Sequence, residues 1–104
     1  MILSNIETVP GREISAYLDL VQGSTVRTKH VGRDIAAGFK NMLGGELRGY
    51  TELLQDARGE ATARMVEAAR ALGADAVVNV RYTTSSIAGG AAELFAYGTA
   101  VKLA

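Results

Sequence analysis

Side chains able to do chemistry are few and scattered in this sequence. The chain has one histidine, His30, and no cysteine, and its acidic residues do not repeat at a metal-ligand spacing. A typical metal site needs about three or four converging ligands, and soft metals prefer thiolates. Lys29 places a cationic side chain next to His30, which disfavours the recruitment of a second cation. We therefore expect His30 to be a surface or loop residue, and one chain alone to hold no metal.

Nucleophilic catalysis has equally little support. Ser24 and the pair Ser85-Ser86 lack an adjacent histidine or lysine that could act as a base, and the carboxylates show no paired spacing. The sequence therefore predicts a protein that is not an enzyme.

Two short segments could bind a ligand. Arg33 and Asp34 follow Gly32 at the start of a predicted helix, where an acid favours the positive end of the helix dipole. A structural role, with Arg33 paired across a subunit boundary, is the simpler interpretation; the alternative is that the two residues line a pocket.

The second segment is Gly44-Gly45, which precedes another predicted helix and lies near Arg48. A helix N-terminus can bind an anion, although no phosphate-loop motif is present, and a joint between two helices is the simpler role. The candidate ligand-binding residues are Arg33, Asp34, Arg48 and Tyr50.

Composition narrows the class of protein. The 104 residues predict a single domain spanning 1–104, and 48% of them are hydrophobic, which is ordinary for a globular protein. Eleven basic residues balance eleven acidic ones, so no global field favours nucleic acid or a membrane surface as partner. There is no apolar run near the ~20 residues of a membrane span and no recognisable signal peptide. We expect a cytoplasmic, soluble protein.

Two strands are predicted before the helices. Residues 2–9 alternate loosely, and Pro10-Gly11 is typical of a type II turn. From residue 13 the alternation sharpens, and we expect one face of the second strand to be buried. That face carries Ile14, Ala16, Leu18 and Leu20. Gly23 predicts a β-bulge, beyond which residues 25–28 resume the strand.

Two helices are predicted next. The first is short, between Gly32 and Gly45, and a flexible joint at 44–49 follows it. The second begins at about Tyr50 or Thr51 and ends at Leu72, and Gly73 is expected to cap it. Its apolar stripe consists of Leu54, Ala57, Ala61, Met65, Ala68 and Leu72. Gly59, beside two alanines of that stripe, predicts close packing on another element.

Two further strands, 75–83 and 93–103, complete the order β-β-α-α-β-β. This order predicts an α+β, two-layer fold in which the long helix packs on one face of an antiparallel sheet. The other face would still carry small and apolar residues, namely Val77, Leu94, Ala96 and Ala100. An uncovered face and exposed sheet edges favour self-association, so we expect a homo-oligomer.

Several strings, in this order along the chain, resemble the YbjQ-like family of small bacterial proteins. They are Gly23-Ser24-Thr25-Val26, Arg33-Asp34-Ile35, Gly44-Gly45 with Tyr50 following, Ala71-Leu72-Gly73-Ala74-Asp75-Ala76-Val77-Val78, and Gly98-Thr99-Ala100-Val101. The resemblance implies a dodecin-like sheet packed on helices and a ring-shaped homopentamer. It implies no established activity, although the family label proposes heavy-metal binding.

Two functions are consistent with this resemblance. The first is a cytoplasmic homo-oligomer, with a pentamer favoured, that binds a small ligand or ion at its subunit boundaries. The alternative is a metal-binding protein whose ligands come from several subunits. In a ring, one side chain per subunit converges on the axis, so copies of His30, Asp34 or Glu46 could form a metal site.

Overall fold

The computed structural model describes residues 1–27, 48–87 and 91–104, and the side chains within 1–26, 54–85 and 93–104. The predicted short helix between Gly32 and Gly45 lies outside the described residues.

The described elements form two layers, a sheet and a helix. The strands are β1 (Ile2–Leu3), β2 (Ile14–Arg27), β3 (Ala76–Ile87) and β4 (Ala91–Leu103), and the helix is α1 (Arg48–Ala71). The strand order in the sheet is β1-β3-β4-β2. β2 and β3 are both antiparallel to β4, whereas β1 pairs in parallel with β3. The predicted α+β, two-layer fold is confirmed, with a mixed sheet in place of a purely antiparallel one.

The first strand is much shorter than predicted. The regular pairing with β3 covers Ile2 and Leu3, and the backbones of Ser4 and Ile6 make further hydrogen bonds to β3 around its bulge. The Ser4 hydroxyl then donates to the Thr8 carbonyl (2.7 Å) and accepts from the Ile6 amide (3.3 Å). A serine that binds nearby backbone groups competes with the strand ladder, so the chain turns here.

The predicted type II turn at Pro10-Gly11 is confirmed. The Arg12 amide donates to the Val9 carbonyl at 3.0 Å, and Gly11 has a φ of 80°. Proline presets the first central position of such a turn, and glycine adopts the positive φ of the second.

The buried face predicted for β2 is wrong. Leu20 is 72% exposed and Ala16 is exposed, whereas Val21 is buried. Register shifts between Ile14 and Ala16 and between Tyr17 and Asp19 break the alternation that the sequence suggests. A bulge inserts an unpaired residue and exchanges the faces beyond it.

Gly23 lies away from those shifts, so the bulge predicted there is also wrong. Its role is close packing. A Cβ at Gly23 would overlap the Ala61 carbonyl oxygen and the Met65 amide nitrogen of α1. Gly59 was expected to allow such an approach, but a Cβ there would meet nothing within 4 Å.

Within the described residues, α1 runs from Arg48, so Thr51 lies inside the helix and Gly49 belongs to it and not to the joint predicted at 44–49. Its C-terminus is as predicted. Gly73 has a φ of 76°, its amide donates to Arg70 (2.9 Å), and the Ala74 amide donates to Ala69 (3.1 Å). These two bonds form a Schellman motif, which satisfies the last carbonyls of the helix.

The centre of the predicted stripe faces the sheet, whereas its ends do not. Ala57, Ala61 and Met65 are buried, while Leu54 is 41% and Leu72 is 44% exposed. α1 packs chiefly over β2 and less over β4. It therefore covers one side of the sheet near the β2 edge.

A bulge in β3 determines which of its side chains face α1. Asn79 has a φ of 54°, and the register with β4 shifts between Val78 and Arg81. As a result, Val77 and Val80 both face α1, while Val78 faces the opposite side. The strict alternation of a regular strand would place Val78 and Val80 on one face, and that expectation is wrong here.

Two clusters of buried residues result. The cluster under the helix contains Val21, Ala61, Met65, Ala69, Val77, Val80, Ala96 and Ala100. The cluster on the other side contains Val9, Ala76, Val78 and Val101. Val77, Ala96 and Ala100, which were expected to point away from the core, are thus part of it. Among the described residues, Val9 covers one end of the face opposite α1.

Candidate functional site

A shallow groove on the sheet face opposite α1 is the best candidate site in the described part of the chain. It has a volume of about 480 Å³ and is lined by Leu20, Val21, Gln22, Thr83, Phe95 and Tyr97. A smaller depression of about 80 Å³ shares Gln22 and Phe95 with it and adds Ser24 and Glu93. We call these two depressions together the outer groove.

Cross-strand pairing places these side chains together. Gln22 pairs with Tyr97 and Ser24 with Phe95 across β2 and β4, and Thr83 pairs with Phe95 across β3 and β4. Residues directly opposite one another in a sheet point to the same face. β2, which is distant in sequence, therefore contributes to one surface with the consecutive strands β3 and β4.

The floor of the outer groove is aromatic. The ring centroids of Phe95 and Tyr97 lie 5.8 Å apart with an interplanar angle of 39°. Leu20 adds apolar surface beside them and is 72% exposed. An apolar surface of this kind suits a flat ligand or the side chains of another subunit.

Polar groups at the rim are available for binding. Within the described part of the chain, the side chains of Gln22, Ser24, Thr83 and Glu93 make no hydrogen bond or ion pair with other residues. Glu93 is half-buried there. The outer groove thus combines an apolar floor with an amide, two hydroxyls and one carboxylate.

A second depression lies at the other end of the sheet and is lined by Ile2, Leu3, Ser4, Asn5, Ile6, Val9, Pro10, Val80 and Tyr82. No carboxylate or cationic side chain is among these lining residues. The depression therefore offers less for ligand recognition than the outer groove does.

Most of the sequence-predicted site residues lie where the structure does not test them. His30, Arg33, Asp34 and Glu46 are outside the described residues. Arg48 and Tyr50 lie in the first turn of α1, where only the backbone is described. The predicted set Arg33, Asp34, Arg48 and Tyr50 stays a prediction.

The described residues hold no group of three or more histidine, cysteine, aspartate or glutamate side chains close enough to bind a metal. A metal site on this chain would need residues outside the described ranges or residues from other subunits.

The outer groove was not recognised from the sequence. The alternation of Phe95, Tyr97 and Thr99 along the sequence places these side chains on one face of the last strand, and this is the signal that the sequence offers. The side of the groove that β2 forms could not be predicted, because the bulges in β2 reversed the predicted orientation of Leu20.

One carboxylate outside the outer groove has a shifted pKa. The Asp75 Oδ2 atom accepts a hydrogen bond from the Leu103 amide at 2.9 Å, and Lys102 Nζ lies 3.6 Å from Oδ1. The Leu103 hydrogen bond first, and then the positive charges of Lys102 and Arg12, lower the pKa of Asp75 below its usual 3.8. Asp75 joins the start of β3 to the end of β4 and has a structural role.

No helix in the described ranges is both long enough and apolar enough to cross a bilayer.

Comparison with known families decides the classification. The YbjQ family model, described as "Putative heavy-metal-binding", matches residues 1–104. The chain belongs to the YbjQ family. This confirms the resemblance that the sequence strings indicated.

Relatives within the YbjQ family cover nearly the whole chain. A UPF0145 protein of Hahella chejuensis is 70% identical over 103 residues, covering 99% of both chains. UPF0145 proteins of Halorubrum lacusprofundi and Archaeoglobus fulgidus are 60% and 61% identical, covering 99% of this chain and 99% and 95% of their own. Archaeal relatives are therefore included, and the description of the family as bacterial was too narrow.

A solved structure supports the YbjQ fold. The crystal structure of a protein of unknown function from Pediococcus pentosaceus, of the DUF74 family, has a TM-score of 0.64 to this chain. The alignment covers 100% of this chain and 98% of the other at 18% identity. This likeness concerns the fold alone.

Proposed function

We propose that this chain is the subunit of a non-enzymatic homo-oligomer, with a pentamer favoured, that binds a small ligand or ion at its subunit boundaries. The observation that carries the proposal is the sheet face opposite α1. That face carries the aromatic outer groove, and within the described residues only its lower end is covered, by Val9.

The shape of the chain also supports association. Its radius of gyration is 16.8 Å, and its principal extents are 53 × 28 × 16 Å. A compact chain of this length has a radius of gyration of about 13 Å. Long strands that reach beyond the core leave apolar surface exposed, and burial of that surface between subunits is favourable at roughly 25 cal/mol per Å².

The outer groove is the proposed position of the ligand. Small-molecule sites combine an apolar floor with a few polar groups, as the outer groove does. On an assembled particle, a neighbouring subunit would supply the second wall that this open groove lacks. The ligand would then be bound between chains, as the proposal requires.

Native mass spectrometry at micromolar concentration tests the oligomer. A single species at an integer multiple of the 10.9 kDa chain is expected, and fivefold is the favoured value. A monomer under these conditions would exclude the proposal.

The second candidate function is metal binding by ligands from several subunits, and the description of the YbjQ family favours it. The described residues hold no metal-ligating cluster. The ligands would therefore come from residues such as His30, Asp34 or Glu46, repeated around a ring.

Calorimetric titration with zinc, copper and nickel tests this second function. A saturable isotherm at a fixed metal-to-particle ratio, lost on the His30→Ala, Asp34→Asn or Glu46→Gln substitution, is the expected result. The absence of saturable binding would exclude it.

The predictions of a cytoplasmic location and of no catalytic activity rest on composition and motifs. The UPF0145 names of the relatives state no enzymatic activity.

A further inference from the structure

Among the described residues, the sheet has two free edges of different composition. β2 pairs with β4 alone in that part of the chain, so its 14 residues form one edge of the sheet. At the other edge, β1 and the residues just after it, Ser4 and Ile6, hydrogen-bond to β3 no further than Val80. The remainder of β3, from Arg81 to Ile87, pairs only with β4 among the described residues. We call this segment the distal β3 edge.

Two bulges protect the first part of the β2 edge, up to Asp19, but the segment from Leu20 to Val26 lacks the other features that keep an edge strand monomeric. Such edges usually carry lysine or proline or are very short. Between Ile14 and Val26, the single charged residue is Asp19, and there is no proline. Tyr17, Leu20 and Val26 on this strand are 69%, 72% and 49% exposed. A strand of this length and composition favours pairing with another strand.

The distal β3 edge is similarly open to pairing. Its sequence, Arg81-Tyr82-Thr83-Thr84-Ser85-Ser86-Ile87, is rich in residues that favour strands and has one charged side chain. β2 carries one acid, Asp19, and one base, Arg27, so net charge does not oppose contact between the two edges. The two edges are complementary in their backbone hydrogen-bonding groups.

Symmetry indicates which edges meet. Pairing β2 with β2 of a second copy would give a two-fold dimer and leave both distal β3 edges open. Pairing β2 with the distal β3 edge of a second copy satisfies both edges with one kind of contact. Such a head-to-tail contact repeats around a closed ring. Because β2 and β3 both run antiparallel to β4, a sheet continued in this way joins them in parallel.

We propose that β2 of one copy pairs with the distal β3 edge of the next copy, so that one sheet continues from subunit to subunit around the ring. This inference rests on the proposed homo-oligomer and specifies its interface. One β2 carbonyl, that of Ser24, already accepts a hydrogen bond from Arg64 of α1. The new ladder therefore forms with the other backbone groups of the edge.

The absence of native cysteine makes disulfide trapping a direct test. The principal variant carries both Gln22→Cys and Thr83→Cys. Within one chain these positions lie on opposite sides of β4, two strand spacings or about 10 Å apart. A disulfide requires Cα atoms within about 7 Å, so the two cysteines of one chain cannot join.

Under mild oxidation, the double variant is expected to give a ladder of disulfide-linked multimers on a non-reducing gel, ending at the size of the intact ring. Each single variant alone should stay unlinked, and a refolded mixture of the two singles should give linked dimers. Leu20→Cys and Ser24→Cys, each combined with Thr83→Cys or Ser85→Cys, cover neighbouring registers. Ala63→Cys combined with Thr83→Cys is the control, because Ala63 is an exposed helix position, and it should give no ladder.

The possible outcomes test the proposed interface and the proposed oligomer separately. An oligomer by native mass spectrometry without cross-linking in any of the five test pairs overturns the edge pairing and leaves the proposed oligomer standing. Linked dimers from a single Gln22→Cys variant indicate β2 to β2 contacts and overturn the head-to-tail arrangement. A monomeric protein overturns the oligomer and the interface together.

Discussion

Gly23 of β2 lies directly against the backbone of Ala61 in α1. A Cβ atom at Gly23 would overlap the Ala61 carbonyl oxygen, and also the amide nitrogen of Met65. The absence of a side chain at Gly23 therefore sets how closely the helix approaches the edge strand. The Thr25 hydroxyl, one step further along the same face of β2, donates to the Ala57 carbonyl at 3.3 Å and continues this contact.

Substitution Gly23→Ala is expected to destabilise the fold. The added methyl group meets backbone atoms that cannot rotate away, so the helix must shift, and overpacking of this kind costs about 1–3 kcal/mol. Urea denaturation followed by circular dichroism measures the free energy of unfolding.

Gly59→Ala is the matched control for that experiment. Gly59 lies within α1, and a Cβ there would meet nothing within 4 Å. Alanine is favoured over glycine in a helix interior by about 1 kcal/mol, so this variant should be more stable than the parent. Equal destabilisation by both substitutions would contradict the packing assigned to Gly23.

Asn79 is expected to tolerate glycine but not valine. Its φ of 54° lies in the left-handed region, which costs a residue with a Cβ atom about 1–2 kcal/mol and is least accessible to β-branched residues. The Asn79 side chain is exposed, so little packing is lost on substitution. Asn79→Gly should match or exceed parental stability in urea, whereas Asn79→Val should lose about 1–2 kcal/mol. A Val variant as stable as the Gly variant would show that the bulge does not need this conformation.

The free energy of unfolding should decrease at acid pH, because Asp75 becomes protonated. Because the pKa of Asp75 is lower in the folded chain than its usual 3.8, the ionised carboxylate stabilises the fold above that pH. This stabilisation is lost as the pH falls through the folded pKa. Asp75→Asn should therefore lower the urea midpoint at pH 7, and its difference from the parent should shrink below pH 3.8. Lys102→Met should have the smaller effect, because the Leu103 amide is the larger cause of the shift. A difference that is independent of pH would contradict this account.

Charged residues on the β2 edge should weaken assembly. Leu20→Lys and Val26→Lys each replace an exposed apolar side chain, so the free energy of unfolding of the subunit should change by no more than about 0.5 kcal/mol. Lysine on an edge strand disfavours pairing, and we expect at least about a tenfold rise in the concentration at which the particle half-dissociates, which is roughly 1.4 kcal/mol. Analytical ultracentrifugation over a dilution series measures this concentration. Leu72→Lys, at the exposed end of α1, is the control and should assemble as the parent does.

The sequence predicted the positions of the helix and strands along the chain better than it predicted which face of each strand is buried. The helix-to-strand junction at Gly73 and the turn at Pro10-Gly11 follow from local backbone chemistry, and both were found as expected. The length of the first strand was overestimated, because the side-chain bonds of Ser4 outweighed a weak alternating pattern. The role of Gly23 was missed, because a glycine in a strand pattern does not reveal which element lies above it.

The candidate site was the least predictable feature. Its lining residues come from β2, β3 and β4. Their side chains lie side by side because of the pairing register of the three strands. The predicted residues Arg33 and Asp34 lie outside the described ranges, so they stay a prediction. Phe95 and Tyr97 were correctly placed on one face of the last strand, but the sequence pattern could not identify that face as the one opposite α1.

By itself, the sequence determined the family, the α+β fold class and the position of the long helix, because each is encoded in ordered strings, local periodicity and caps. Only the tertiary structure decided which face of the sheet is core. Bulges in β2 and at Asn79 each shift the alternation by one residue, and a shift of one exchanges inside for outside. Their effect is fixed by strand partners and by the close approach of α1 at Gly23, which are contacts between residues far apart in the chain.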